Sequence, residues 1–369
     1  MISSHKIKKW FLPTITITLL TSIIIGIAMT LFSLVTPTPS PVITVTSPAI
    51  PAKTGIQPPY VPPTNKFFGT NAAGAEFDNT PFYTDTKYQG YKYFNNNGLT
   101  LIRLPVKWER IQPEFQTPLS NDIDKYTNMI IQAQSAGDSV IIDLHNYAKY
   151  NNKQLTTKDT QNFSDIWRKI ANKYNKGYPR LFGYELMNEP HDLEGNCDTW
   201  KTLAQSAIYS IRKTDNTHYI LIPGYDWQSA NRWQDSSNCL ADIKDPANKI
   251  LFSAHQYFDS DLSGSKYDST TCTDEQRGTK LIQPFLNWLE ANKTAGILTE
   301  YGVPANSTCW LNTIDDFLNT LKTNDHIYGG TYWAAGPAWG DYNLSIEPDN
   351  GIDKPQMTVL KKYPSTLQN

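Results

Sequence analysis

From residue 65 onward the sequence predicts an α/β fold, a (β/α)₈ barrel of eight parallel strands, each followed by a helix, and three observations lead there. Short apolar runs alternate with longer amphipathic segments, the pattern of a parallel sheet covered by helices. Several runs are near-continuously apolar, as strands buried on both faces must be. Eight such units fit within about 300 residues, a length that suits one barrel. On pattern alone an open doubly wound sheet is the alternative.

The strands are expected at 67–70, 100–104, 139–144, 181–186, 219–223, 250–254, 296–299 and 329–333. Helical patterns lie between them at 123–136, 164–175, 200–213, 280–292 and 314–322. Gly137 closes the first of these, because glycine takes the left-handed conformation of a helix stop without steric cost.

The first 64 residues read as an address and a tether. Residues 1–9 form a basic tail, with Lys6, Lys8 and Lys9. Residues 10–35 carry no charge, and 26 positions suffice for a helix across about 30 Å of hydrocarbon. Lysines before the segment predict an inside N-terminus and a membrane anchor. A cleaved signal peptide is the alternative, and both place the remainder outside the cytoplasm, anchored or secreted. Residues 36–64 are a proline-rich linker whose composition favours extended polyproline II. The catalytic domain is expected at 65–369, as a monomer.

A formal charge of −2 leaves no basic field to hold nucleic acid. Aromatic residues make up 12% of the chain, enough to fill a core and also to floor a cleft for flat sugar faces. Cys197, Cys239, Cys272 and Cys309 form no Cys-x-x-Cys pair, which argues against a zinc cage. An even number behind an export signal suggests two disulfides, with four buried thiols as the alternative.

In such a barrel chemistry sits at the C-terminal ends of the strands. The second strand runs into Arg103, and the third ends in Asp143-Leu144-His145-Asn146-Tyr147. The fourth ends in Asn188-Glu189-Pro190, the sixth in His255-Gln256-Tyr257, the seventh in Thr299-Glu300-Tyr301-Gly302, and the eighth in Tyr332-Trp333. Polar groups therefore converge on one rim. Glu189 and Glu300 face each other across it, as glycoside cleavage by two carboxyls requires. One must stay protonated and the other ionised, and Arg103 with Tyr257 could hold Glu300 in the ionised form. No P-loop, dinucleotide glycine pattern or Gly-x-Ser-x-Gly elbow is present. His145 and His255 lack a partner histidine at metal spacing, so neither metal nor cofactor is expected.

The chain from about residue 65 to 364 resembles glycoside hydrolase family 5, in its cellulase branch. The resemblance is carried by Gly69-Thr70-Asn71-Ala72-Ala73-Gly74-Ala75-Glu76-Phe77, Ile102-Arg103-Leu104-Pro105, Asp143 to Tyr147, and Leu186-Met187-Asn188-Glu189-Pro190-His191. It continues through His255-Gln256-Tyr257 with Asp259, Asp261 and Gly264, then Leu298 to Gly302, and Tyr332-Trp333-Ala334-Ala335-Gly336-Pro337. It implies an endo-β-1,4-glucanase acting on β-glucan, with Glu189 as acid/base and Glu300 as nucleophile. Arg103 and Tyr257 would flank the nucleophile, and Asn188 would bind the sugar 2-hydroxyl. His145 and His255 would line the central subsites, with Trp333 as platform. Ala338 departs from relatives that carry a second tryptophan there. A β-mannanase on the same fold, or an inactive surface glucan-binding protein, is the alternative. Neighbouring barrel loops are expected to pair Cys197 with Cys239 and Cys272 with Cys309, since a disulfide needs Cα atoms roughly 4.4–6.8 Å apart.

Overall fold

The apolar runs become the staves of a barrel. The computed structural model describes residues 60–84, 90–268, 270–336 and 339–366. The expected tail, the 10–35 segment, most of the 36–64 linker and Ala338 lie outside the described residues. The strands are β1 (Phe67–Ala72), β2 (Leu101–Val106), β3 (Ser139–Leu144), β4 (Leu181–Glu185), β5 (Tyr219–Pro223), β6 (Ile250–His255), β7 (Gly296–Glu300) and β8 (Ile327–Ala335). These eight barrel strands pair in parallel, each with its neighbours in the chain, and β1 closes on β8; a short antiparallel hairpin, Lys149–Tyr150 with Lys153–Gln154, lies outside the barrel sheet. The open-sheet alternative is thereby excluded.

Five long helices cover the outside: α1 (Asp122–Ala136), α2 (Thr160–Tyr174), α3 (Asn196–Arg212), α4 (Arg277–Ala291) and α5 (Thr308–Thr323). Gly137 ends α1 at φ 103°, in the left-handed form its sequence position implies. α2 to α5 begin three to six residues earlier than the apolar periodicity suggests; the first turns of α2 to α4 are largely polar, whereas that of α5 carries Trp310 and Leu311. β2 also runs on past the expected end, through Pro105, whose missing N–H removes only one donor from the ladder.

Alternation along the strands sorts the side chains into two worlds. Ile102, Leu104 and Val106 of β2, and Val140, Ile142 and Leu144 of β3, join the large core beneath the helices. Leu101 and Ile141 instead join Leu221, Leu251 and Ile297 in a separate apolar plug inside the barrel. Two residues further along the same inward rows stand Arg103, Asp143, Ser253 and Thr299, all fully buried. The period of two thus carries the barrel interior from an apolar base to a polar floor below the mouth.

Both disulfides join, Cys197 to Cys239 with Cα atoms 6.1 Å apart and Cys272 to Cys309 at 6.0 Å. The placement differs from the expected loop-to-loop arrangement. Cys197 and Cys309 each lie in the first turn of a helix, α3 and α5.

Candidate active site

Arg103 organises the floor. A guanidinium has five N–H groups in a fixed fork, and here each direction is occupied. Nε donates to Glu185 Oε2, and Nη1 donates to Asn71 Oδ1 at 2.9 Å and Glu300 Oε1 at 2.7 Å. Nη2 donates to Asn188 Oδ1 at 2.8 Å and lies 3.0 Å from Asp143 Oδ2. Burial opposes its charge, but Asp143, Glu185 and Glu300 overcome this and hold the guanidinium firmly cationic.

Glu300, at the end of β7, is 4% exposed. Besides Arg103 it receives the phenol of Tyr257, whose O–H donates to Oε2 at 2.8 Å. Tyr257 can take that place because Gly264, at φ +76°, lies against its ring, where an added Cβ would come within 2.6 Å. Glu189 follows β4 in a left-handed conformation, φ 43°. Its backbone N–H donates to Gln228 Oε1 at 3.2 Å, and its Oε1 lies 2.8 Å from His255 Nδ1. Glu189, His255 and Glu300 bring one ligand atom each to within 4.8 Å of the others. Among the described residues this is the one cluster with the donors for a cation, and it coincides with the two carboxyls singled out from sequence.

Their electrostatics differ. Burial pushes the Glu189 carboxyl well above the ordinary carboxylate range, and the neighbouring Glu300 adds to that. Burial also raises Glu300, and it stays above the ordinary carboxylate range, but Arg103, His145 and the Tyr257 hydrogen bond hold that rise in check. Of the pair, Glu300 is the one in contact with Arg103, so the guanidinium favours its ionised form. His255 is held neutral by burial, then by Arg103 and His145.

The hydrogen bonds agree with that assignment. Thr299 Oγ1 donates its one proton to Glu185 Oε1 at 2.7 Å, so at 3.2 Å it must accept from His255 Nε2. A neutral His255 with its proton on Nε2 offers a lone pair at Nδ1. Glu189 Oε1 then carries the proton of that 2.8 Å contact. The tautomer follows from the network.

Around the pair lie rings. Trp333, 9% exposed, stacks with His145 at 5.6 Å and 14°, and Trp339 meets it edge-on. His145 is tied to Asp143 at 2.7 Å and to the Tyr147 hydroxyl at 3.3 Å. On the β4–β5 side His191 and Trp227 stack at 3.5 Å, with Trp227 45% exposed. The eight residues expected at the site thus gather at one end of the barrel, and the cysteines lie apart from it. Sequence reasoning missed Glu185 and Gln228. Gln228 Nε2 donates to Glu185 Oε1 at 2.8 Å and to Ser253 Oγ at 2.9 Å, beneath the reactive pair. Glu185 stands on the inward row of β4, a findable signal. Gln228 sits in a run of left-handed residues, Asp226 to Gln228, that has no periodicity to read.

A closed parallel barrel with two carboxyls of unequal proton affinity at its mouth is the architecture of a glycoside-cleaving enzyme. Residues 63–338 match the family model described as cellulase (glycosyl hydrolase family 5), and the chain belongs to that family. It is 31% identical over 308 residues to endo-β-1,4-glucanase B of Aspergillus niger, covering 81% of this chain and 90% of that protein. Among solved structures, an endo-β-1,4-glucanase from Xanthomonas axonopodis pv. citri superposes with a TM-score of 0.75 at 33% identity, over 81% of this chain and 98% of that one. Endoglucanase Cel5A of Pseudomonas stutzeri, solved with cellobiose, gives 0.71 at 35% identity, over 82% and 95%.

Proposed function

We propose that this family 5 hydrolase is a retaining endo-β-1,4-glucanase, with Glu189 as acid/base and Glu300 as nucleophile. The observation that carries the reading is the unequal setting of two adjacent carboxyls. Glu300 is hydrogen-bonded by Arg103 and Tyr257, whereas Glu189 lies against His255 and burial raises its carboxyl well above the ordinary range. Glu189 would protonate the glycosidic oxygen while Glu300 attacks the anomeric carbon, forming a covalent glycosyl-enzyme. Glu189, then a carboxylate, would take a proton from water, which attacks the same carbon and restores Glu300. Ligand atoms within 4.8 Å support retention, since inverting pairs stand roughly 6.5–9.5 Å apart to admit a water. The chemistry needs no cofactor.

In this reading Trp333 floors the sugar being cut, Asn188 binds its 2-hydroxyl, and His145 and His255 line the same region. β-1,4-Glucan rather than mannan is the substrate, because the relatives are named as glucanases and one was solved with cellobiose. Two disulfides support a site of action outside the cytoplasm. Attachment to a membrane through residues 10–35 belongs to the same proposal, as does action as a monomer.

Digesting cello-oligosaccharide while following the anomeric protons tests the mechanism. The β-anomer should appear first and then mutarotate. First appearance of the α-anomer would overturn retention, and release of reducing sugar from mannan but not from carboxymethylcellulose would overturn the substrate.

A further inference from the structure

One buried carboxyl near the site has no part in that mechanism. Glu76 lies in the segment that follows β1 and is 7% exposed. The Gly74 N–H donates to its Oε2 at 2.6 Å, while Oε1 has no partner among the described residues outside residue 76 itself. Buried polar atoms are rarely left so, and a ligand group is one way to complete them.

The segment is built to hold its shape. Arg110 Nη1 donates to the carbonyls of Phe77 at 2.8 Å and Thr80 at 3.1 Å, and reaches those of Gly74 and Ala75 at 3.4 Å. The Lys107 N–H donates to Ala75 O at 3.1 Å, and the Ala73 N–H to Ala335 O at 3.0 Å. The segment also borders the sugar platform. Ala73 packs in one cluster with Tyr257 and Trp333, and the half-exposed Phe77 meets Trp339 edge-on at 5.7 Å. Glu76 lies close enough for the charges of Asp143 and Glu300 to act on it, and its own acts on Tyr147.

Direction follows from the chemistry. Glu189 protonates the departing sugar, so that sugar lies toward β4 and β5. The sugar that stays on Glu300 extends the other way, toward β8 and β1. We propose that Glu76 is a specificity residue whose Oε1 hydrogen-bonds a hydroxyl of the glucose unit next to the one on Trp333, on the retained side of the scissile bond. This rests on the hydrolase reading above. Burial pushes the Glu76 carboxyl up to about 8, against the pull of the backbone N–H groups. Below that pH it is neutral. With Oε2 accepting from Gly74, the proton sits on Oε1, which becomes a donor toward the sugar.

Two activated substrates separate the effects. Dinitrophenyl β-cellobioside places a glucose beside Glu76, and dinitrophenyl β-glucoside does not. Glu76→Ala should lower kcat/KM on the cellobioside roughly 10- to 100-fold more than on the glucoside. Glu76→Gln, which keeps the shape and a donor, should recover most of that difference. Equal losses on both substrates, or no loss on the cellobioside, would overturn the assignment. Wild-type protein that cleaves neither would overturn the hydrolase reading and this inference with it. Wild-type cleavage of both, with no selective loss in the variants, would overturn the role of Glu76 alone.

Discussion

Glu189 is strained as well as largely covered, its side chain 16% exposed. A non-glycine residue at φ 43° costs on the order of 1–3 kcal/mol, and such strain concentrates where geometry must be held. What it gains is a carboxyl against a neutral imidazole, protonated beyond the pH at which a free glutamic acid ionises. The activity profile should follow the sign of that shift. As pH rises through the elevated pKa of Glu189 the acid is lost, so kcat/KM on cellulose should fall on the alkaline side. Glu189→Gln should lower kcat roughly 10²- to 10⁴-fold on cellulose. It should lose far less in glycosylation by a dinitrophenyl glycoside, whose leaving group needs no proton, and azide should speed release of the glycosyl-enzyme. Glu300→Gln should be inactive on both, and similar losses for the two variants on the aryl substrate would reverse the roles. Arg103→Met probes the same floor through stability. It leaves Asp143, Glu185 and Glu300 without their shared cation, and removing one partner of a buried ion pair costs about 3–5 kcal/mol. A urea midpoint within error of wild type would show that the floor does not depend on that charge.

The elements are where the sequence was most readable. An apolar run buried on both faces has few alternatives to a strand, so all eight positions could be named, and Asn188-Glu189 and Thr299-Glu300 could be placed at strand ends. What escaped was set by tertiary contact. The largely polar first turns of α2 to α4 carry no apolar periodicity, and the Glu185–Gln228–Thr299 bonds join three strand regions that no local pattern links. The disulfides lie between these extremes. Loop adjacency suggested the pairs, but not that Cys197 and Cys309 would sit in the first turns of α3 and α5, tying each helix start to residues on the preceding or following connection. The Cys272–Cys309 bridge spans a separation of 37 residues, for which chain entropy gives about 3–4.7 kcal/mol. Replacing both cysteines with serine should lower the unfolding free energy by about that much. Because neither sulfur reaches the reactive pair, kcat at 25 °C should change less than about twofold. A large loss of kcat with unchanged stability would mean that the bridge shapes the cleft directly.

At the scale of the whole chain, the barrel is held together by its own contacts. Residues from Pro58 to Asn369 form one unit by their own contacts, and within it the two ends meet, where Lys66 and Thr366 exchange backbone hydrogen bonds. A chain beginning at residue 58 should therefore fold and cleave carboxymethylcellulose with the kcat of the full protein. Residues 1–57 would then govern place rather than chemistry. The uncharged run at 10–35 sits between lysines and a proline-rich stretch, which in the proposed reading would space the enzyme from a surface. Among the described residues no helix is long and apolar enough to cross a membrane, and the 10–35 run lies outside them. Fractionation of cells expressing the full chain separates the two fates. Retention in the membrane pellet after a carbonate wash, with activity at the outer surface, is expected for an anchor. Soluble enzyme whose first residue lies near Thr36 would identify a cleaved signal, and the linker would then be a free N-terminal arm.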